Sequence, residues 1–310
     1  MFGRRADGRA LKDMDPMVAI TPHFMPMRCD AQVFLDYKLD YEKLARYIVA
    51  QGAKGNKFTF MELLIAAYVR TVAQYPEANR FIANKRVYAR NELTVSFAVV
   101  MNQKEGSDEI EENTVKCHFD PRDTIFDVSA KIQKEIAANK NVEADNGSLK
   151  LVRMLTKPAV VTPFLYLVRL LDRYGLIPKF LINISPFHTS LFVTNMASIG
   201  MPAVKHHIYN FGTTSLFFSI GAVERTVAIG DQGQPVRKRN LPIGIVADER
   251  ICAGAVFARI VDYMMGFLRQ PELLESPPDT IHFDEGNIYG IEKEMKKNKK
   301  KDKSQKAISA

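Results

Sequence analysis

Between Ile243 and Leu268 the chain changes its hydrophobic period once, and that change limits the folds open to it. Ile243, Ile245 and Ala247 alternate as one face of a buried strand. Phe257, Ile260, Val261, Met264, Phe267 and Leu268 then line one face of a long helix. A strand that runs straight into an amphipathic helix needs a sheet with that helix laid on it. The junction is a charged turn, Asp248-Glu249-Arg250, followed by Gly254. Such polar turns commonly present catalytic side chains, yet this one holds no histidine, cysteine or serine.

The same two periods recur upstream. Val33, Leu35, Tyr37 and Leu39 read as a strand entering a helix at Tyr41. Thr59-x-x-Glu62 is a capping box, opening a helix through Phe60, Leu63, Leu64, Ala67 and Val72 that Pro76 stops. Leu93, Val95, Phe97 and Val99 alternate as a strand, and "DEIEENTVKCHF" gives a polar turn and a short strand. A second box, Thr124-x-x-Asp127, opens a helix with the face Ile125, Val128, Ile132 and Ile136. Asn139 to Ser148 reads as a polar loop. "SLFVTNM" and "SLFFSIGAVE" are apolar strands joined by a loop with Gly200, Pro202, His206, His207 and Gly212. Interspersed helices and strands, with hairpin-like strand pairs in the second half, make an α/β or α+β layered domain with a mixed sheet.

Leu149 to Pro186 is very apolar, interrupted by Arg169, Asp172 and Arg173 on one side of a helix. The plainer reading is a packed pair of helices. The sharper one is a patch that docks on a membrane or on another subunit.

Charge bears on partners. The net charge is +8, and residues 291–310 carry eight Lys against Glu292, Glu294 and Asp302. Most of the excess therefore sits in one terminal run, which reads as a solvated, disordered tail. Its sharper reading is weak attraction to RNA or to an anionic membrane. The rest of the chain is close to neutral, which excludes a footprint for specific nucleic-acid recognition. Cys29, Cys117 and Cys252 are far apart with no CxxC pair, which argues against a disulfide framework or a zinc site. The charged N-terminus is no secretory signal, and no apolar run reaches a membrane span. A cytoplasmic protein without a metal is expected.

Several stretches, taken in order, resemble the catalytic domain of the 2-oxo acid dehydrogenase acyltransferases (dihydrolipoamide acyltransferases), which shares its fold with chloramphenicol acetyltransferase. Ser190 to Gly200 is similar to the family's T-F-T-I-S-N-L-G-x-x-G, and Phe218-Ser219-Ile220-Gly221 to its L-A-V-G. Asp248 to Val261 resembles D-H-R-x-x-D-G-A-x-A-A-R-F-L, and "LRQPELLE" the family's L-E-x-P-E-L-L. "FTFMELLIAAYVRTVAQYPEANRFI" is similar to its T-F-x-D-F-L-x-K-A helix and P-x-x-N ending. The likeness runs from about residue 20 to 275.

The resemblance implies a two-layer α/β coenzyme A-dependent acyltransferase domain with a mixed sheet over residues 20–280, with an extension over 1–19 and the tail over 281–310. It implies acyl-coenzyme A as donor, a small acceptor, and a homotrimer whose sites lie between subunits. No lipoyl-bearing module is recognisable. Thr194 falls on the hydroxyl that stabilises the oxyanion, with Asn195 beside it. The family's general-base histidine falls on Glu249, however, and the motif aspartate, which holds the turn through an arginine, falls on Ala253. Asp248 and Gly254 keep the frame; Arg250, Asn195, His206 and His207 are the candidate substrate contacts.

Two readings of Glu249 stay open. It replaces the base, although ordinary carboxylates have a pKa of about 4.3 and need burial to work near neutrality. Alternatively, it belongs to a surface ion pair with Arg250 in a catalytically silent relative that binds coenzyme A or a protein partner. His206 and His207 are either a relocated base or polar loop residues. His23 in "TPHF" matches a family histidine that is not the proton acceptor, and Cys252 receives no role. Restoring Glu249→His with Ala253→Asp is expected to act non-additively, with Arg28 as the arginine that anchors the new aspartate.

Overall fold

The computed structural model describes residues 5–100, 112–140 and 158–284. The ordered core is one sheet with helices on one side. Its strands are β2 (Gln32–Asp40), β5 (Leu93–Val100), β6 (Glu112–Phe119), β7 (Leu191–Asn195), β8 (Leu216–Ile220), β9 (Glu224–Ile229) and β10 (Pro235–Asp248). They run in the order β2-β10-β8-β7-β5-β6, and β9 pairs with the first half of β10. A smaller sheet joins β1 (Gly8–Ala10), β4 (Arg86–Arg90) and β3 (Arg80–Ala83). In the large sheet the β5–β7 and β7–β8 pairs are parallel and the rest antiparallel. The expected two-layer mixed α/β architecture is present.

Local chemistry sets the helix boundaries. Asp40 caps α2 (Tyr41–Ala53) by accepting from the amides of Glu42 and Lys43. Thr59 and Glu62 form the reciprocal capping box that opens α3 (Phe60–Gln74). Thr124 and Asp127 repeat the exchange at the start of α4 (Ile125–Lys140). These helices, with α7 (Gly254–Arg269), cover one face of the sheet. Leu191 and Val193, Phe218 and Ile220, and Ile243, Ile245 and Ala247 meet them in one apolar core. By alternation along the strands, Phe192, Thr194, Phe217, Ser219, Gly244, Val246 and Asp248 belong to the other face.

That other face holds the first correction. β7 and β8 are not a hairpin but a parallel pair, and the segment from Met196 to Ser215 is their crossover. Parallel neighbours require such a long return. It runs over the sheet without an α-helix, after one 3-10 turn at Met196–Ile199. Ser219 Oγ donates to Val204 O, and a Cβ at Gly244 would lie 2.6 Å from that same oxygen. Only glycine admits the crossing backbone there. Ile208 then closes a small cluster with Phe217 and Val246. "SLFFSIGAVE" is also two strands, because β8 stops at Ile220 and β9 begins at Glu224.

The second correction concerns the apolar segment. α5 (Pro158–Arg173) and α6 (Lys179–Ile184) are helices, but they are not a packed pair. Phe164, Leu165, Tyr166, Leu167, Phe180 and Ile184 are all exposed. Among the described residues, the C-terminal end of α5 and the α6 region are tied down. Arg5 donates to both the carbonyl and the carboxylate of Asp172, the latter at 2.5 Å, and His188 Nε2 stands 3.3 Å away. Lys116 Nζ donates to the carbonyls of Ile182, Ser185 and His188.

At the N-terminal side, β1 pairs with β4, and α1 (Pro16–Phe24) follows, capped by Asp15. At the other end His282 N donates to Ala73 O, and Asp284 Oδ2 accepts from Arg80 Nε at 2.7 Å. The lysine-rich run and most of the Asn139–Ser148 loop lie outside the described residues. No helix among the described residues is long and apolar enough to cross a membrane.

Candidate active site

The turn after β10 is built around one carboxylate. Asp248 is fully buried, and Arg250 clamps it with Nε and Nη2, each 2.7 Å from a carboxylate oxygen. Arg28 Nε approaches the same carboxylate to 3.4 Å. The remaining nitrogens of these two arginines donate to backbone carbonyls. Arg250 Nη1 reaches Met25 at 2.7 Å, and Arg28 reaches Tyr209, Gly212 and Ile82. Asp248 also accepts from the amide of Arg250, fixing the short turn Glu249–Ile251.

The Arg250 partner expected for Glu249 is thus taken by Asp248. Glu249 has no ion pair among the described residues, and it is exposed while both its neighbours are buried. The reason is geometric. Asp248 is the last residue of the strand and points inward, where two guanidiniums can reach it, whereas Glu249 turns out of the sheet.

Arg28 does serve as the anchoring arginine, but for Asp248. Its side-chain nitrogens are already engaged, so an aspartate at position 253 would find no vacant guanidinium there. Ala253 instead occupies the N-cap of α7 with no side-chain hydrogen bond, and it is exposed with Gly254 and Ala255. A Cβ at Gly254 would meet nothing within 4 Å, so packing within this chain does not demand that glycine. Cys252 is buried, which pushes its thiol up to about 12. His23 lies exposed in α1.

The crossover loop brings the two histidines to this end of the sheet. The His206 ring stacks on Phe217 at 4.6 Å and on His207 at 4.8 Å. Next along the chain, Ile208 O accepts from Gln32 Nε2, and Gln32 is the register partner of Asp248. His206 Nδ1 lies 2.8 Å from the His207 carbonyl, and His207 is exposed.

Thr194 and Asn195 are elsewhere. Thr194 pairs across the sheet with Ser219, and Ser219 with Gly244. Glu249 comes five residues after Gly244, which is roughly 17 Å along a strand. Thr194 Oγ1 makes one weak contact, to Met196 Sδ at 3.6 Å, and is half-buried. One chain therefore gathers Arg28, Asp248, Glu249, Arg250, Gly254 and the two histidines, and leaves the oxyanion candidate apart.

The Arg5–Asp172–His188 group escaped the sequence reading. Asp172 was its only signal, a lone acid in an apolar helix.

Solved structures share this architecture. The cubic core of a pyruvate dehydrogenase multienzyme complex aligns with a TM-score of 0.53 at 13% identity, over 85% of this chain and 93% of that one. A probable dihydrolipoamide acetyltransferase from Listeria monocytogenes aligns at 0.51 with 11% identity, over 87% and 97%. A truncated catalytic core of the 2-oxoacid dehydrogenase complex from Thermoplasma acidophilum aligns at 0.51 with 15% identity, over 84% and 98%. No protein-family model and no curated protein matches the sequence. The chain has the fold of 2-oxo acid dehydrogenase acyltransferase catalytic cores.

Proposed function

We propose that this protein transfers an acyl group from acyl-coenzyme A to a small acceptor, with Glu249 as the base. One observation carries the reading. Asp248 and Arg250 are buried and locked together, and the side chain between them is exposed and unpaired among the described residues. A titratable group on a rigid, fully bonded frame suits proton transfer better than it suits structural support.

In this mechanism Glu249 takes the proton of an acceptor thiol, hydroxyl or amine as that atom attacks the thioester carbonyl. Negative charge gathers on the carbonyl oxygen, where the Thr194 hydroxyl donates. Collapse of the tetrahedral intermediate expels the coenzyme A thiolate, which takes the proton back from Glu249. A general base contributes about 10² to 10⁴ in rate and an oxyanion donor about 10² to 10³. His206 and His207 would contact substrate beside Glu249, and Asn195 beside Thr194.

The separation of Thr194 from Glu249 means that one chain cannot hold both roles. The site is completed by a second copy, in a homotrimer with three such sites. Light scattering at micromolar concentration tests this directly, and a monomer would sink the shared site. Thiol release from acetyl-coenzyme A and longer acyl-coenzymes A, against a panel of acceptors, tests the activity. Turnover that vanishes in Glu249→Gln supports it.

One observation favours a second reading, a catalytically silent relative that binds coenzyme A or a protein partner. A carboxylate acts as a base at neutral pH only where it is desolvated, and Glu249 is exposed in the single chain. No turnover with any acceptor, together with measurable coenzyme A affinity, would decide for silence.

A further inference from the structure

Phe164, Leu165, Tyr166 and Leu167 follow one another in α5, and every one is exposed, Tyr166 by 70%. Pro163, Tyr166, Leu167 and Leu170 recur at helical spacing and form one outward apolar stripe, while half-buried Val161 and Val168 and buried Asp172 lie on the opposite side. An outward apolar stripe with arginine at its edge is the pattern of a helix lying in a bilayer interface.

The far end of α5 is fixed by Asp172 to Arg5. Phe164 to Leu167 stand roughly 8 to 12 Å from that anchor along the axis, at 1.5 Å per residue. Cations lie between. Arg169 and Arg173, with Lys85 from the β3–β4 turn, line a cavity of about 500 Å³ together with buried Arg28 and Arg250. Asp248 already holds Arg28 and Arg250, and Arg5 holds Asp172, so Lys85, Arg169 and Arg173 are the cations left without an acid partner at the cavity mouth. Lys85 and Asn84 occupy a tight turn with φ of 59° and 45°, and Arg173 Nε donates to Asn84 Oδ1 at 3.0 Å. Arg169 makes no hydrogen bond or ion pair among the described residues. From 158 to 186 the exposed charges are Arg169, Arg173 and Lys179, all positive. Glu92 holds Lys179, so Arg169 and Arg173 set the sign of this face.

We propose that this end of the molecule docks on an anionic phospholipid bilayer. The apolar turns of α5 enter the acyl-chain boundary, and one lipid phosphate seats among Lys85, Arg169 and Arg173 at the mouth of the cavity. The arrangement is that of an interfacial helix, an apolar stripe edged by arginine at headgroup depth. The proposal goes beyond acyl transfer and stands without it.

The test is co-sedimentation of the full chain with vesicles of phosphatidylcholine alone or with added phosphatidylglycerol. Binding is expected only with the anionic lipid, and it should weaken as salt rises. The triple variant Lys85→Gln, Arg169→Gln, Arg173→Gln should lose on the order of a hundredfold in affinity, at about fivefold per cation. Leu167→Asp should lose binding with its melting temperature unchanged, since the side chain is exposed. Failure to bind anionic vesicles would overturn the proposal. So would full binding by both variants together with loss in a chain ending at residue 290, which would assign binding to the tail. Thermal stabilisation by inorganic phosphate without vesicle binding would show a site for free anions instead. A smaller particle in light scattering of Leu167→Asp, with vesicle binding intact, would show that another copy covers the helix.

Discussion

Asp248 accepts Arg250 Nε and Nη2 at 2.7 Å each, while Arg28 Nε stands 3.4 Å from the same carboxylate. One buried acid thus faces two buried cations. Removing one member of a buried charge cluster leaves the others uncompensated, at a cost of about 3 to 5 kcal/mol. Asp248→Asn is therefore expected to lose roughly that much stability in urea titration. A loss below about 1 kcal/mol would mean that the backbone carbonyls alone satisfy both guanidiniums.

Glu249 should behave in the opposite way. Glu249→Gln removes an exposed, unpaired charge, so its stability should stay within about 0.5 kcal/mol of the parent. Its thiol release from acyl-coenzyme A should fall by about 10² to 10⁴. Glu249→His should raise release near neutrality, because an imidazole titrates at about 6.5. The pH–rate profiles of the three proteins check this, and identical profiles would remove Glu249 from the chemistry.

Ala253→Asp should act on α7 rather than on Arg28. The position is an N-cap without a side-chain hydrogen bond, and an aspartate there stabilises a helix by about 1 kcal/mol. Thermal melting should show the gain. With Arg28 already engaged, combining this change with Glu249→His should give separate, additive effects on stability and rate. A strong synergy in rate would show that Arg28 exchanges partners.

Asp172 predicts an acid limb in stability. Burial opposes its ionisation, but His188 at 3.3 Å and the Arg5 guanidinium outweigh that and hold it at about 2. A carboxylate lowered on folding stabilises the native state above its unfolded pKa of about 3.9, by about 2 kcal/mol here. That contribution is lost as pH falls from about 4 through 2. Asp172→Asn should lose stability at pH 7 and show a flatter decline below pH 4. Parallel acid curves for the two proteins would refute it.

The features legible in the sequence are those set by neighbours in the chain. Both capping boxes are reciprocal bonds over three residues, so Thr59 and Glu62 announce their helix without any tertiary context. The charged turn after β10 was legible as a place, but not as a circuit. Which acid Arg250 would clamp depends on which of two adjacent carboxylates points inward. The β7–β8 direction was hidden too, because it rests on a distant backbone crossing Gly244. The α5 pattern misled for another reason. Periodicity shows that a helix has an apolar face, but says nothing about what lies opposite it.

The bond from Arg5 to Asp172 joins residues 167 positions apart. Synthesis proceeds at about 5 to 20 residues per second, so roughly ten to thirty seconds separate the making of these two partners. β1 can pair with β4 well before that. Asp7 pairs with Arg5 locally from the start, at 2.8 Å, but one carboxylate leaves guanidinium hydrogens to water until Asp172 arrives. The small sheet can therefore form early, while the seat of Arg5 is completed only once the chain has passed residue 172.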